Sequence, residues 1–486
     1  FRCYQLKKIT RMARWSHPIA PQLGVSSDLD LNDVVDIDEE TCSNEELLRS
    51  FNNPYLCTAR LVVVYKHNYI LHLDGNGIEN AGYIAAGLTD KTVLVYNSDN
   101  LAFLHKLQFQ SLDLIGLKFS LSNPNLLFVG TKDKVALWDL RAKPDLPTRV
   151  FYDHTIGDNP KRLKPLTAFD VSLDDQVLCG GTEQRGENTF LLFWDIRQSQ
   201  LEGGYWDSHG GDITQVKFHP RERDSLAVSS IEGLLNIFDV GEGSEDEALM
   251  MSMNTEDISV DKMAWYDTSC SKKSLCCLTH CESIQMWDVT EPVPMRQHLR
   301  QEITDVMKRR LLTNTYLVNC HPDPDNDSIY VVCGSAGRSS GCLRVLLLDE
   351  TLHPYTNLVA DRSQQIVRCS YFLPKSRVFI TGGESGVLNM WRPYTEGMVP
   401  ADVGSGDHAP VYTTNVTDNN NYGSVPATGL CTDDFYVHFD PHAPKQWKTA
   451  VYLSNDDDPA GPSFSYKLKT ESGPKQELQN NRSRPY

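Results

Sequence analysis

Trp138-Asp139-Leu140-Arg141 and Trp194-Asp195-Ile196-Arg197 each close an apolar run, and their recurrence decides how the rest of the chain is read. A Trp-Asp pair that ends a strand and repeats along a sequence marks a propeller blade. Five further strand endings fit the same place: Tyr96-Asn97, Phe238-Asp239, Trp287-Asp288, Leu348-Asp349 and Trp391-Arg392-Pro393. Neighbouring anchors lie 42 to 61 residues apart, against a repeat of roughly 40–45 for blades of this kind. The strand period of two puts Trp138 and Leu140 on one face, Asp139 and Arg141 on the other. Trp138 then fills the gap between blades, and Asp139 comes close enough to Arg141 to pair.

The expected fold is therefore all-β: a seven-bladed WD-repeat β-propeller with disordered N- and C-terminal extensions. Residues 1–56 read as an acidic, mostly disordered extension. Nine acidic side chains and no basic one lie between Asp28 and Glu46, which suits a solvated tail or an arm for a basic partner. Leu47-Leu48 leaves room for a small docking helix. The propeller is assigned to 57–394. Leu61–Lys66 is expected to pair into the last blade and close the ring, which removes an exposed edge. Residues 395–486, rich in Asn, Asp, Gly, Pro and Ser, read as a low-complexity disordered tail. One blade cannot bury both of its faces alone, so the ring is the folding unit.

Composition narrows the function. The longest apolar runs are strand length, far short of the roughly 20 residues that cross a bilayer, and no signal peptide is legible. The chain opens on Phe1, with Met12 as one alternative start, so its basic first residues read as upstream translation or as a transit-peptide imitation. Thirteen cysteines without a disulfide spacing favour a reducing home, in cytoplasm or nucleus. A net charge of −18 argues against direct nucleic-acid or anionic-membrane binding and makes basic proteins the natural partners. No oligomer is expected outside complexes.

Chemistry-bearing motifs are weak. Cys276-Cys277-Leu278-Thr279-His280-Cys281 lacks the second ligand pair zinc requires, and Cys276 and Cys277 should point to opposite faces of a strand. Asp74-Gly75-Asn76-Gly77-Ile78-Glu79 begins like a calcium loop, but the twelfth position is Ala85. Gly334–Gly341 lacks the Gly-Lys-Ser/Thr ending of a phosphate loop. No cofactor, metal or enzymatic activity is expected. His209, Ser229/Ser230 and Phe238 occupy positions where many WD repeats carry a His–Ser–Trp hydrogen-bonded array, which Phe238 leaves incomplete for want of an N–H. With Trp138, Trp194, Phe238, Trp287 and Trp391, His209 is read as a structural blade anchor.

Arg141 and Arg197 are the sharpest binding candidates, with Asp139 and Asp195 beside them. Aligned on neighbouring blades, they offer two planar donors on one rim, suited to a carboxylate partner. A local Asp–Arg surface pair explains the same residues. Propellers ending blades in Trp-Asp-x-Arg resemble substrate receptors of cullin-RING ubiquitin ligases, which implies docking on the ligase adaptor through that Arg. Blade two departs from that pattern, since Asp133 lies five residues before Trp138 instead of six, and blade three carries the Gln184–Asn188 insertion.

The stretch from about 60 to 393 resembles the WD repeat-containing protein 89 family. The resemblance rests on Gly181-Thr182-Glu183, Leu191-Leu192-Phe193-Trp194-Asp195, Asp212–Pro220, Glu245-Asp246-Glu247-Ala248-Leu249, and Gly382-Gly383-Glu384 before Trp391-Arg392-Pro393. It implies a seven-bladed, non-enzymatic scaffold that binds protein partners on its rims; a ligase substrate receptor is the alternative.

Overall fold

The computed structural model describes residues 40–398 apart from 64–67, 80–81, 110–112, 143–145, 157–162, 257, 268–272, 324, 337–341, 360–364 and 397. The head before 40, the tail beyond 398 and most of the Gly334–Gly341 turn lie outside the described residues.

Every anchor ends the third strand of a four-stranded antiparallel sheet. Blade one comprises Ile70–Gly75, Tyr83–Leu88, Thr92–Asn97 and Phe103–Gln108. Blade two comprises Leu114–Phe119, Leu126–Thr131, Lys134–Asp139 and Arg149–Phe151. Blade three follows with Leu166–Val171, Val177–Thr182, Leu191–Asp195 and Gln200–Tyr205. Blade four has Ile213–Phe218, Ser225–Ser230, Leu234–Asp239 and Leu249–Asn254. Blade five has Val260–Asp267, Lys273–Thr279, Ile284–Asp288 and Arg296–His298. Blade six has Thr315–Asp323, Ser328–Ser335, Cys342–Leu348 and Leu352–Asn357. Blade seven is built from Val367–Leu373, Val378–Gly383 and Val387–Pro393, and its fourth strand is the N-terminal Tyr55–Val62.

That last strand closes the ring, pairing from Tyr55↔Pro393 to Val62↔Val387. It begins earlier than the Leu61–Lys66 segment expected from the sequence, of which 64–66 lie outside the described residues. The apolar run at 61–65 draws the eye, yet an outermost strand needs little apolar character: seven residues of Tyr55–Val62 are half-buried and Val62 is exposed. The innermost strand of blade one, Ile70–Gly75, also escapes sequence reading.

The apolar side chains gather into seven clusters, one between each pair of neighbouring blades. Each anchor faces backward into the preceding blade. Trp138 and Leu140 pack with Val93, Val95 and Leu107 of blade one; Trp194 and Ile196 pack with Phe128, Leu137 and Phe151 of blade two. Phe238 meets blade three, Trp287 blade four and Trp391 blade six. Tyr96 packs on blade seven, so the chain of contacts has no beginning. At roughly 25 cal/mol per Å² of buried apolar surface, these shared faces are the main stabilising term, and a blade in isolation has neither of them. Each first strand also carries a bulge against its second strand, between residues such as Ile70/His72, Leu114/Gly116 and Ile213/Gln215.

The packed chain begins ahead of the propeller proper. A short helix, α1 (Asn44–Ser50), is capped by Ser43, whose hydroxyl accepts from the Glu46 N–H at 3.3 Å. Glu45 and Glu46 in its first turn and Arg49 in its last suit the helix dipole. Leu47 and the following Phe51 are buried among Ile303, Met307, Leu317 and Leu346, over the junction of blades five and six. The helix expected around Leu47-Leu48 is thus a docked one. Two other short helices, α2 (Glu245–Ala248) and α3 (Arg300–Val306), sit in the connections beside blades four and five. None of the helices among the described residues is long and apolar enough to cross a membrane.

Candidate functional site

Arg141 and Arg197 occupy the same place one blade apart. Each follows a Trp-Asp strand end, and each guanidinium folds back on its own aspartate. Arg141 donates from Nε to Asp139 Oδ1 at 3.0 Å and from Nη2 to Oδ2 at 2.8 Å, and its backbone N–H reaches Oδ1 at 3.0 Å. Arg197 repeats this on Asp195 at 3.1, 3.0 and 2.8 Å. These hydrogen bonds hold both carboxyls below their ordinary range. The structure brings Arg141 to Asp139 and Arg197 to Asp195, and Asp195 also accepts from Gln198 Nε2 at 3.3 Å. The arginine side chains stay 62% and 66% exposed, so each pair adds little to stability.

The anchors are buried, Trp194, Phe238, Trp287 and Trp391 nearly completely and Trp138 at 4% exposure. His209 is buried as well, but not in the array its position implied. Its ring lies 6.4 Å from that of Phe238, which offers no N–H. Nε2 of His209 sits 3.2 Å from Asn236 Nδ2, and Nδ1 lies 3.7 Å from Glu232 Oε1. Ser229 turns instead to Thr214, at 2.9 Å, and Ser230 donates to Glu232 at 3.0 Å. The missing indole has been replaced by a carboxylate and an amide.

This rerouting makes blade four sensitive to acid. His209, the Gly210 N–H and Ser230 hold the Glu232 carboxyl down to about 2 from an ordinary 4.5. A carboxyl depressed by folding stabilises fully above its ordinary range and stops doing so as pH falls through the lowered value. Glu232→Gln should therefore reduce stability near neutral pH and flatten the decline between about pH 4.5 and 2. Urea denaturation across that range checks this; an unchanged slope would remove Glu232 from the account.

Cys276 and Cys277 point to opposite faces of their strand, as the sequence required. Cys276 lies in the core shared with blade six, Cys277 in the core shared with blade four. His280 bonds Ser259 through Nδ1 at 2.7 Å, and Cys281 is exposed. No group of His, Cys, Asp or Glu among the described residues is arranged to hold a metal ion. Asp74 is next to last in the first strand of blade one, where its carboxylate accepts the Phe119 N–H of blade two at 2.6 Å.

Sequence reading missed the outer edge of blades five and six. Val293, Met295 and Leu299 are 62%, 48% and 58% exposed there. Two open grooves of about 600 Å³ lie at Leu299 and at Met295: one lined by Leu299, Val306 and Pro354 with Glu302, Asp305 and Lys308, the other by Met295, Ile329 and Leu348 with Asp327, Asp349 and Glu350. Arg296 donates Nη1 to the carbonyls of Asp349 and Glu350 at 2.6 and 2.7 Å, so its charge is spent on backbone and not on those carboxylates. The spacing of apolar and acidic side chains here is interrupted by turns and by α3, which leaves no periodic signal in the sequence.

No family model matches the chain. Among curated proteins it is similar to WD repeat-containing protein 89 homolog of Dictyostelium discoideum, at 21% identity over 339 residues, 67% of this chain and 87% of the relative. An uncharacterized WD repeat-containing protein of Schizosaccharomyces pombe is 24% identical over 274 residues, 54% of this chain and 78% of that protein. Nucleoporin Nup43 of Mus musculus is 24% identical over 216 residues, 43% of this chain and 51% of that protein.

Proposed function

We propose that this chain, which belongs to the WD-repeat β-propellers and is similar to WD repeat-containing protein 89, is a non-enzymatic scaffold that seats a basic protein segment on the edge of blades five and six. The observation that carries the reading is the pair of exposed apolar side chains Met295 and Leu299, the first in a groove with Glu350 and the second in a groove with Glu302 and Asp305. Apolar side chains clustered on a surface and rimmed by charge mark interaction sites, and the chain's charge of −18 favours a cationic partner. The nucleoporin among the relatives supports a setting in an intracellular protein assembly. Buried free thiols at Cys179, Cys276, Cys277, Cys333 and Cys369 support a reducing compartment, cytoplasm or nucleus.

The test is affinity capture with quantitative mass spectrometry, comparing the natural chain with a Leu299→Asp, Glu302→Lys, Asp305→Lys variant. Basic proteins should be lost from the variant, and each should rebind the natural chain when purified. An identical partner set for the two chains would overturn the reading.

A second reading rests on the matched, outward Asp–Arg forks of blades two and three: a substrate receptor of a cullin-RING ligase. Arg141→Ala with Arg197→Ala should then weaken binding to the purified ligase adaptor at least tenfold. Undiminished or absent association removes this alternative.

A further inference from the structure

The bulge in each first strand sets a register that the sequence does not announce. Two residues past it, blades one to four present Asp74, Lys118, Asp170 and Lys217 in turn. Lys262 stands at the exit of the bulge in blade five, and His72 stands at the matching place in blade one. First strands form the axial wall of a propeller, so these side chains gather around one axis.

The two carboxylates are already engaged. Asp74 accepts the Phe119 N–H at 2.6 Å and Asp170 the Phe218 N–H at 2.9 Å, each tying one blade to the next. Asp170 also pairs with Lys118 at 3.1 Å. Neither Lys217 nor Lys262 reaches a carboxylate within ion-pair distance among the described residues. Burial pushes the Lys217 ammonium below its ordinary range, with the charges of Asp170 and Asp74 opposing that shift and those of Lys118 and Lys262 adding to it. His72 is lowered to about 4 by burial and by Lys262, and its Nε2 is buried with no hydrogen-bond partner among the described residues. An acidic protein thus holds three ammonium groups against two occupied carboxylates at its axis, an arrangement that a bound anion would relieve.

We propose that the axial channel binds a phosphate-bearing anion of two or more charges, held by Lys217 and Lys262 with Lys118 alongside. Ammonium groups take phosphate oxygens as point charges without demanding one fixed geometry. A free polyphosphate and a phosphorylated metabolite share this chemistry.

Isothermal titration with inorganic pyrophosphate at fixed ionic strength tests it, with glucose 6-phosphate as a second probe to separate the two sources. The natural chain should bind at one site and melt at a higher temperature when loaded. Lys217→Met with Lys262→Met should lose at least tenfold in affinity, and Lys106→Met on the exposed outer strand of blade one should lose nothing. Lys217→Arg with Lys262→Arg keeps the charge and should bind within a few fold, which preserves the test if the methionine pair fails to fold. Absence of saturable binding to either probe, or equal binding by the methionine pair, would overturn the proposal.

Discussion

Replacing Glu40 by alanine should lower the unfolding free energy by about 3–5 kcal/mol, far more than a surface carboxylate warrants. Glu40 Oε1 lies 2.8 Å from Arg309 Nη1 and 2.5 Å from Arg344 Nη2. Both arginines are buried, at 2% and 0% exposure. Arg344 also donates Nη1 to the Met307 carbonyl and lies over the Phe51 ring at 5.0 Å. The carboxylate therefore neutralises two guanidinium groups that have left water, and the same segment docks α1 on the junction of blades five and six. Taking away one member of such a group leaves charge behind in a low dielectric, whereas taking away all of it need not. Glu40→Leu combined with Arg309→Met and Arg344→Met should recover a large part of the loss. Guanidinium denaturation reads both changes as midpoint shifts. A loss below about 1 kcal/mol for Glu40→Ala would reduce the clasp to an ordinary surface pair.

Trp194→Ala should cost about 3–5 kcal/mol, the range for emptying a large buried aromatic site. The indole fills the space between blades two and three, and its Nε1 donates to the Tyr152 carbonyl of the preceding blade at 3.1 Å. Phenylalanine separates the two contributions. At 194 it keeps the ring but strands the Tyr152 carbonyl. At 138 the indole N–H is buried with no acceptor among the described residues, so phenylalanine removes a burden instead of a bond. Trp194→Phe should therefore be about 1–2 kcal/mol more costly than Trp138→Phe. Equal costs at the two sites, measured by thermal and urea unfolding, would mean that the Tyr152 bond contributes nothing.

The third strands were legible because large aromatic side chains must face the preceding blade while the next residue turns outward. Leu348 shows how far that logic reaches: spacing alone locates it, with no aromatic at all. Ile70–Gly75 was hidden because polar His72 and Asp74 break up its apolar residues Ile70, Leu71 and Leu73, of which Ile70 alone is fully buried. The closing strand was displaced in the reading because Leu61–Tyr65 is more apolar than Tyr55–Arg60, although an outermost strand rewards pairing over burial. His209 lies inside, and Asn236 and Glu232 as its neighbours depend on side-chain geometry. Nothing distinguishes Glu40 among the nine acids of its segment; its role follows from Arg309 and Arg344, some 270 and 300 residues on. The axial lysines depend on bulges, which shift register without any residue signature in this chain.

The ring is closed by the pairing of Tyr55–Val62 with Val387–Pro393. Native-state hydrogen exchange on the full chain reads that pairing amide by amide. Amides of 55–62 that bond the last strand should be protected and should open together with those of 387–393, at a common free energy. Exchange of 55–62 at the rate of an unstructured peptide, with 387–393 still protected, would mean that blade seven ends in an open edge and the ring is not closed.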